Sequence, residues 1–189
     1  MWYFAYGIDL HHRSVIAMCR ERNLPTPRLG EPRAAVLRNH RMCFPMYDTR
    51  WSGGVADLAE AFGKSIPGAV FEITSDDLDL LAQLHERRKD EFGREIGTRK
   101  LVEVRAETLE GAVPVEAVTF RRVRPEYRHV PPSRGYIERL IASAVDLGLG
   151  SMWVMYLRTL IPPDPPDRRN AVNPPSRQQQ QSLPDLGAA

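Results

Sequence analysis

The sequence predicts an α+β fold: a mixed or antiparallel sheet curled toward a small β-barrel, with helices flanking it. Stretches with strand character outnumber helical ones, and loops join most of them, which argues against a βαβ array. The 189 residues, 42% hydrophobic and 26% charged, describe one globular domain plus a remainder.

Trp2-Tyr3-Phe4-Ala5-Tyr6 is short and aromatic and stops at Gly7, as a buried strand entering a tight turn does. Asp9 is placed to cap a helix over Leu10–Glu21, with Leu10, Ile16 and Met18 as apolar positions and Pro25 and Pro27 beyond its end. Ala34–Leu37 and Arg41–Phe44 read as short strands. A loop over Asp48–Gly54 leads to a strand at Val55–Leu58, and after Gly63 another runs over Pro67–Ile73.

Helix signals are clearest at Ser75–Glu86. Thr74 and Asp77 form a capping box, and Leu78, Leu81, Ala82 and His85 step at i, i+3, i+4, i+7. Leu101–Arg105 and Pro114–Val123 read as strands. Ser133 caps a helix that carries Ile137, Leu140, Ile141, Ala144 and Val145 on one face until Gly148, and a short helix over Met152–Leu160 closes the domain.

Seven of the 16 prolines fall in the last 28 residues, beside the run Gln178–Gln181, so residues 1–160 are expected to fold and 161–189 to form a disordered or extended appendage. Lys plus Arg is 26 and Asp plus Glu is 24, which gives no single-sign field to attract nucleic acid. No stretch is apolar enough for a membrane span, and the first residues lack the order of a signal peptide; a cytoplasmic protein is expected. Cys19 and Cys43 are too few for a disulfide scaffold and are not spaced as a zinc pair. His11-His12 suggests no metal site, because adjacent residues do not share a helix face.

Four places could carry chemistry. The turn Tyr6-Gly7-Ile8-Asp9-Leu10 can direct backbone N–H groups at a carboxylate or oxyanion, or can be a plain connection. Glu86, at the end of the Ser75–Glu86 helix, extends its apolar stripe and has the makings of a general base; the bland alternative is a solvated helix end beside Arg87, Arg88 and Lys89. In Trp51-Ser52-Gly53-Gly54 the glycines permit close backbone approach, while Trp51 either walls a pocket or anchors a bulge. The hydroxyl of Tyr136, one turn into its helix, could meet a ligand or a backbone carbonyl. No G-x-S-x-G, Walker loop or G-x-G-x-x-G is present.

Together these places resemble the γ-glutamylcyclotransferase family. Tyr3-Phe4-Ala5-Tyr6-Gly7-Ile8-Asp9-Leu10 is similar to its opening Y-F-x-Y-G-S-N-L, and Trp51-Ser52-Gly53-Gly54-Val55-Ala56 to its W-x-G-G-x-A. Gly63–Ile73 is similar to the strand entering the catalytic helix, Ala82–Glu86 stands in the place of L-D-x-x-E, and Pro132-Ser133-Arg134-Gly135-Tyr136 resembles P-S-x-x-Y. These five ordered blocks span about 1–160.

The resemblance implies a small mixed barrel with flanking helices and an enzyme that closes a γ-glutamyl amine or amino acid into 5-oxoproline, freeing the amine. Glu86 would be the general acid/base. Tyr6, Gly7, Ile8, Asp9, Leu10, Trp51, Gly53, Gly54, Phe92, Phe120 and Tyr136 would surround the substrate. No metal or organic cofactor is implied; a homodimer is.

Departures from the family pattern fall at the pocket. Ile8-Asp9 replaces S-N, so Asp9 would repel a substrate carboxylate unless it turned away to cap its own helix. Arg87 replaces a glycine, and Phe92 and Phe120 stand where tyrosines are frequent. The alternatives are a catalytically silent module that binds a small ligand or a protein, and a hydrolase that releases glutamate.

Overall fold

The computed structural model describes residues 1–86, 99–122 and 129–163, with Glu86 described by its backbone alone. The expected positions of Phe92 and of the tail beyond 163 lie outside these residues. The elements are β1 (Trp2–Ala5), a 3-10 turn (Ile8–Leu10), α1 (His12–Glu21), β2 (Arg33–Asp48), β3 (Gly53–Glu72), α2 (Ser75–Glu86), β4 (Arg99–Thr108), β5 (Pro114–Arg122), α3 (Arg134–Asp146) and α4 (Ser151–Thr159).

The strands close a barrel in the order β1-β3-β2-β4-β5. All pairs are antiparallel except β1 with β5, so the sheet is mixed, as the sequence predicts. Neighbours on both sides of β1 leave Tyr3, Phe4 and Ala5 buried, which explains a strand that is aromatic throughout instead of alternating with polar residues.

The four short strands expected between 34 and 73 are two long ones. Gly63 and the polar residues around it read as a break, yet β3 continues past them. Arg38 pairs with Ser65 and His40 with Glu60, so residues 61–64 stand opposite Asn39 alone. Asn39 and Gly63 take left-handed backbone, and the Gly63 N–H donates to Asn39 Oδ1 (3.1 Å).

A second register shift bears on function. Cys43 pairs with Asp57 and Met46 with Val55, which sets Phe44 and Pro45 opposite Ala56. Proline has no N–H to give the ladder, so a bulge forms there. The N–H and C=O of Ala56 then bond to side chains instead of to β2.

The helices follow their caps. Thr74 Oγ1 accepts the Asp77 N–H (3.2 Å) and donates to Asp77 Oδ2 (2.7 Å), and Ser133 Oγ accepts the Tyr136 N–H (3.3 Å). Asp9 does not cap α1, contrary to the sequence expectation. The 3-10 turn at Ile8–Leu10 precedes the helix, and His11 Nδ1 accepts the Ser14 N–H (3.2 Å) in its place.

Candidate active site

At the end of the barrel where β1 runs into the 3-10 turn, polar side chains gather inside an otherwise apolar core. Tyr3, Tyr6, Asp9, Asp57, His85, Arg99, Arg122 and Tyr136 are all buried. Polar groups without water need partners, so their bonding defines the site.

Asp9 is its centre. Tyr3 Oη donates to Asp9 Oδ2, and His85 Nε2 lies 2.9 Å from the same oxygen. Burial pushes the Asp9 carboxyl up, but the adjacent His85 imidazole, the Tyr3 hydroxyl and Arg99 outweigh it and hold it at about 2. A carboxylate depressed below its ordinary value stabilises the fold above about pH 4, and this is lost as pH falls through about 2. Acid unfolding should therefore draw on the order of 2 kcal/mol from this group across that window. Asp9→Asn should flatten this part of the stability profile, as measured by urea unfolding at a series of pH values; an unaltered slope would contradict the pairing.

On the far side of the imidazole, His85 Nδ1 lies 3.3 Å from Arg99 Nη1. A guanidinium only donates, so this contact requires a lone pair on Nδ1 and places the imidazole proton on Nε2, the nitrogen that lies beside Asp9. Arg99 also donates to the Ala56 carbonyl freed by the β2 bulge. Burial works against the charge on Arg99, but Tyr6, Asp57, Tyr136 and Asp9 outweigh it and raise its pKa further above its ordinary value. Phe120 lays its ring 4.8 Å from the His85 ring, and its carbonyl accepts the Tyr6 hydroxyl (2.7 Å).

The Tyr136 hydroxyl accepts the Ala56 N–H (3.0 Å), so it is tied to the β3 backbone through a donor that the sequence did not point to. A side chain at Gly7 would stand 3.6 Å from that oxygen, so Tyr136 walls the turn. Trp51 packs edge-to-face on Tyr136 at 5.3 Å, and the Arg139 guanidinium lies over the Trp51 ring, 5.1 Å from its centroid. Gly53 and Gly54 lie beneath residues 130–133: a side chain at Gly54 would meet the Val130 carbonyl at 2.0 Å, and one at Gly53 the Ser133 nitrogen at 2.5 Å. Their role is to admit the segment that starts α3.

The structure thus brings together Tyr6, Gly7, Asp9, Phe120 and Tyr136. Ile8 and Leu10 are buried in the same turn, where the Leu10 N–H bonds the Gly7 carbonyl (3.1 Å) and is already committed to the turn. From the last turn of α2, the side chain seen against Asp9 is that of His85; the side chain of Glu86 lies outside what is described. The sequence held the signal for this. At 3.6 residues per turn, the seventh residue after Leu78 returns to within about 20° of it, while the eighth falls about 80° away. Tyr3, Asp57, Arg99 and Arg122 were not singled out, and lone polar residues within strands carry no sequence signal beyond their burial. Among the described residues, no group of three His, Cys, Asp or Glu side chains could hold a metal ion.

No model of a protein family matches the sequence, and no curated protein does. Solved structures do resemble the fold. A γ-glutamyl cyclotransferase superposes with a TM-score of 0.68 at 21% identity, over 87% of this chain and 90% of that one. An uncharacterised human protein superposes with 0.66 at 22% identity, over 86% and 89%. A yeast γ-glutamyl cyclotransferase specific to glutathione gives 0.51 at 12% identity, over 85% and 97%. The closed mixed barrel, its flanking helices and these superpositions agree with the architecture implied by the five sequence blocks: the chain has the γ-glutamylcyclotransferase-like fold.

Proposed function

We propose that the protein is a cyclotransferase that converts a γ-glutamyl amine or γ-glutamyl amino acid to 5-oxoproline and the free amine. The observation that carries this reading is the contact between the Tyr6–Leu10 turn and the last turn of α2 through Asp9 and His85, inside a fold shared with γ-glutamyl cyclotransferases. The reaction is intramolecular, so the site chiefly has to bend the substrate until its amine meets its γ-carbonyl. It also needs a proton carrier, because the α-ammonium must lose a proton to attack and the departing nitrogen must gain one. The last turn of α2 offers Glu86 from the sequence and His85 from the geometry. Tyr6, Gly7, Ile8, Asp9, Phe120 and Tyr136 would enclose the glutamyl part, with Trp51 behind Tyr136. A cytoplasmic location and a homodimer belong to the same proposal; no helix among the described residues is long and apolar enough to cross a membrane.

A second reading has an observation in its favour. The Asp9 carboxylate already accepts from Tyr3 and lies against His85, as it would in a catalytically silent member of the fold that binds a ligand or a protein. Incubation with γ-glutamyl amino acids, γ-glutamyl amines and glutathione separates the cases: 5-oxoproline is the expected product. Glutamate would mark a hydrolase, and an unchanged panel would favour the silent module.

A further inference from the structure

We propose that His85, oriented by Asp9, is the group that carries the proton in this site, and that the substrate's α-carboxylate puts it to work by taking over Arg99. The proposal rests on the cyclotransferase reading and assigns its acid/base residue. It stands on three buried contacts in series: Tyr3 to Asp9, Asp9 to His85 Nε2 at 2.9 Å, and His85 Nδ1 to Arg99 Nη1 at 3.3 Å.

Among the described residues, it is Arg99 that faces the Nδ1 lone pair with which His85 would accept a proton. Arg99 has a further donor: its Nε is buried and has no hydrogen-bond partner among the described residues. A γ-glutamyl substrate arrives with a carboxylate and an ammonium on one carbon. Its carboxylate is the better acceptor for the guanidinium, since a bidentate charged pair is stronger than a bond to a neutral ring nitrogen. Once Arg99 turns to it, Nδ1 faces the ammonium.

The charges balance as well. Among the described buried residues, Asp9 and Asp57 stand against Arg99 and Arg122, so protonating His85 adds a positive charge to these groups. The substrate's carboxylate supplies the matching negative charge at the step that forms imidazolium. Asp9 stabilises that imidazolium on its other edge, and Phe120 packs against the ring.

The proton steps close. His85 Nδ1 takes one proton from the α-ammonium, and the freed amine bonds to the γ-carbon, whose carbonyl oxygen becomes the oxyanion. The imidazolium gives its proton to the leaving nitrogen, the C–N bond to that nitrogen breaks and the carbonyl re-forms. The nitrogen of the new five-membered lactam, which still carries two protons, passes one of them through Nδ1 to the released amine, which departs as ammonium, and His85 returns neutral.

The test combines rates with a measurement on the wild-type imidazole. His85→Gln should lower kcat on the best panel substrate by about 10²–10⁴, a larger loss than Glu86→Gln causes, and Asp9→Asn should lower kcat more than it changes KM. In the wild-type protein, side-chain ¹⁵N spectra should show the His85 proton on Nε2, and adding L-glutamate, which carries both charged groups but no leaving amine, should move the Nδ1 resonance. If Glu86→Gln loses as much as His85→Gln or more, or if Nδ1 ignores L-glutamate, the proposal is overturned. If no panel member yields 5-oxoproline, the cyclotransferase reading fails and the proton-carrying role falls with it; a response of Nδ1 would then leave the Arg99 exchange standing as ligand recognition. Should His85→Gln fail to fold, the spectra of the wild-type protein still decide.

Discussion

Arg99→Met lowers the unfolding free energy by about 3–5 kcal/mol, the expected result of removing one partner from a buried charged cluster. Methionine fills similar space but makes none of the bonds of Arg99 to the Ala56 carbonyl and His85. It also removes one of the two buried guanidinium groups described beside Asp9 and Asp57, in surroundings where an uncompensated carboxylate is costly. The loss should appear as a lower midpoint in urea at an unchanged slope. A change under about 1 kcal/mol would mean that the cluster relaxes around the substitution and is not a unit.

Gly54→Ala costs about 3 kcal/mol or more. The added carbon would sit 2.0 Å from the Val130 carbonyl oxygen, and both groups are backbone, so no side chain can swing aside. Relief requires moving the 130–133 segment, which the Gly54 N–H holds through the Pro131 carbonyl (2.8 Å) and the Phe44 carbonyl holds through the Val130 N–H (2.7 Å). That displacement would carry Ser133 and the start of α3 with it and draw Tyr136 away from Ala56. Calorimetry should therefore show a fall in Tm, and activity should fall further than stability alone explains. Near-native stability for Gly54→Ala would show that the segment is not pinned there.

The elements that the sequence made legible are those whose signals are local. The Thr74–Asp77 box, the Ser133 cap and the aromatic β1 each announce themselves within five residues, and all are where they were expected. The long β2 and β3 strands were not legible as such, because Asn39 and Gly63 absorb an insertion that reads as a chain break. The site divides similarly. Gly7, Asp9 and Tyr136 are readable from ordered blocks, and Phe120 from its place where the family frequently has a tyrosine. Arg99 was not, since what makes it part of the site is the Ala56 carbonyl released by Pro45, three strands of context away from any local pattern. The role expected of Asp9 illustrates the same limit. A capping aspartate and a buried ion-pair aspartate look alike in one dimension, and only the arrival of His85 from α2 separates them.

The parallel seam between β1 and β5 joins the two ends of the barrel that lie farthest apart in sequence. The Thr119 hydroxyl reaches the Phe4 carbonyl (2.7 Å) across 115 residues, so the first strand waits for the last before the barrel can shut. Contacts so distant in sequence form slowly, because the loop-closure entropy is lost before they contribute. The β2–β3 hairpin and the β4–β5 pair can form early from near neighbours, but Tyr3 and Asp9 belong to one side of the seam and Phe120 to the other. The site is therefore complete only in the closed barrel, where Phe120 meets His85 and Tyr6. A nascent or partly refolded chain can hold most of its sheet and still be inert, and ligand binding at this site acts as a clasp on the closed barrel.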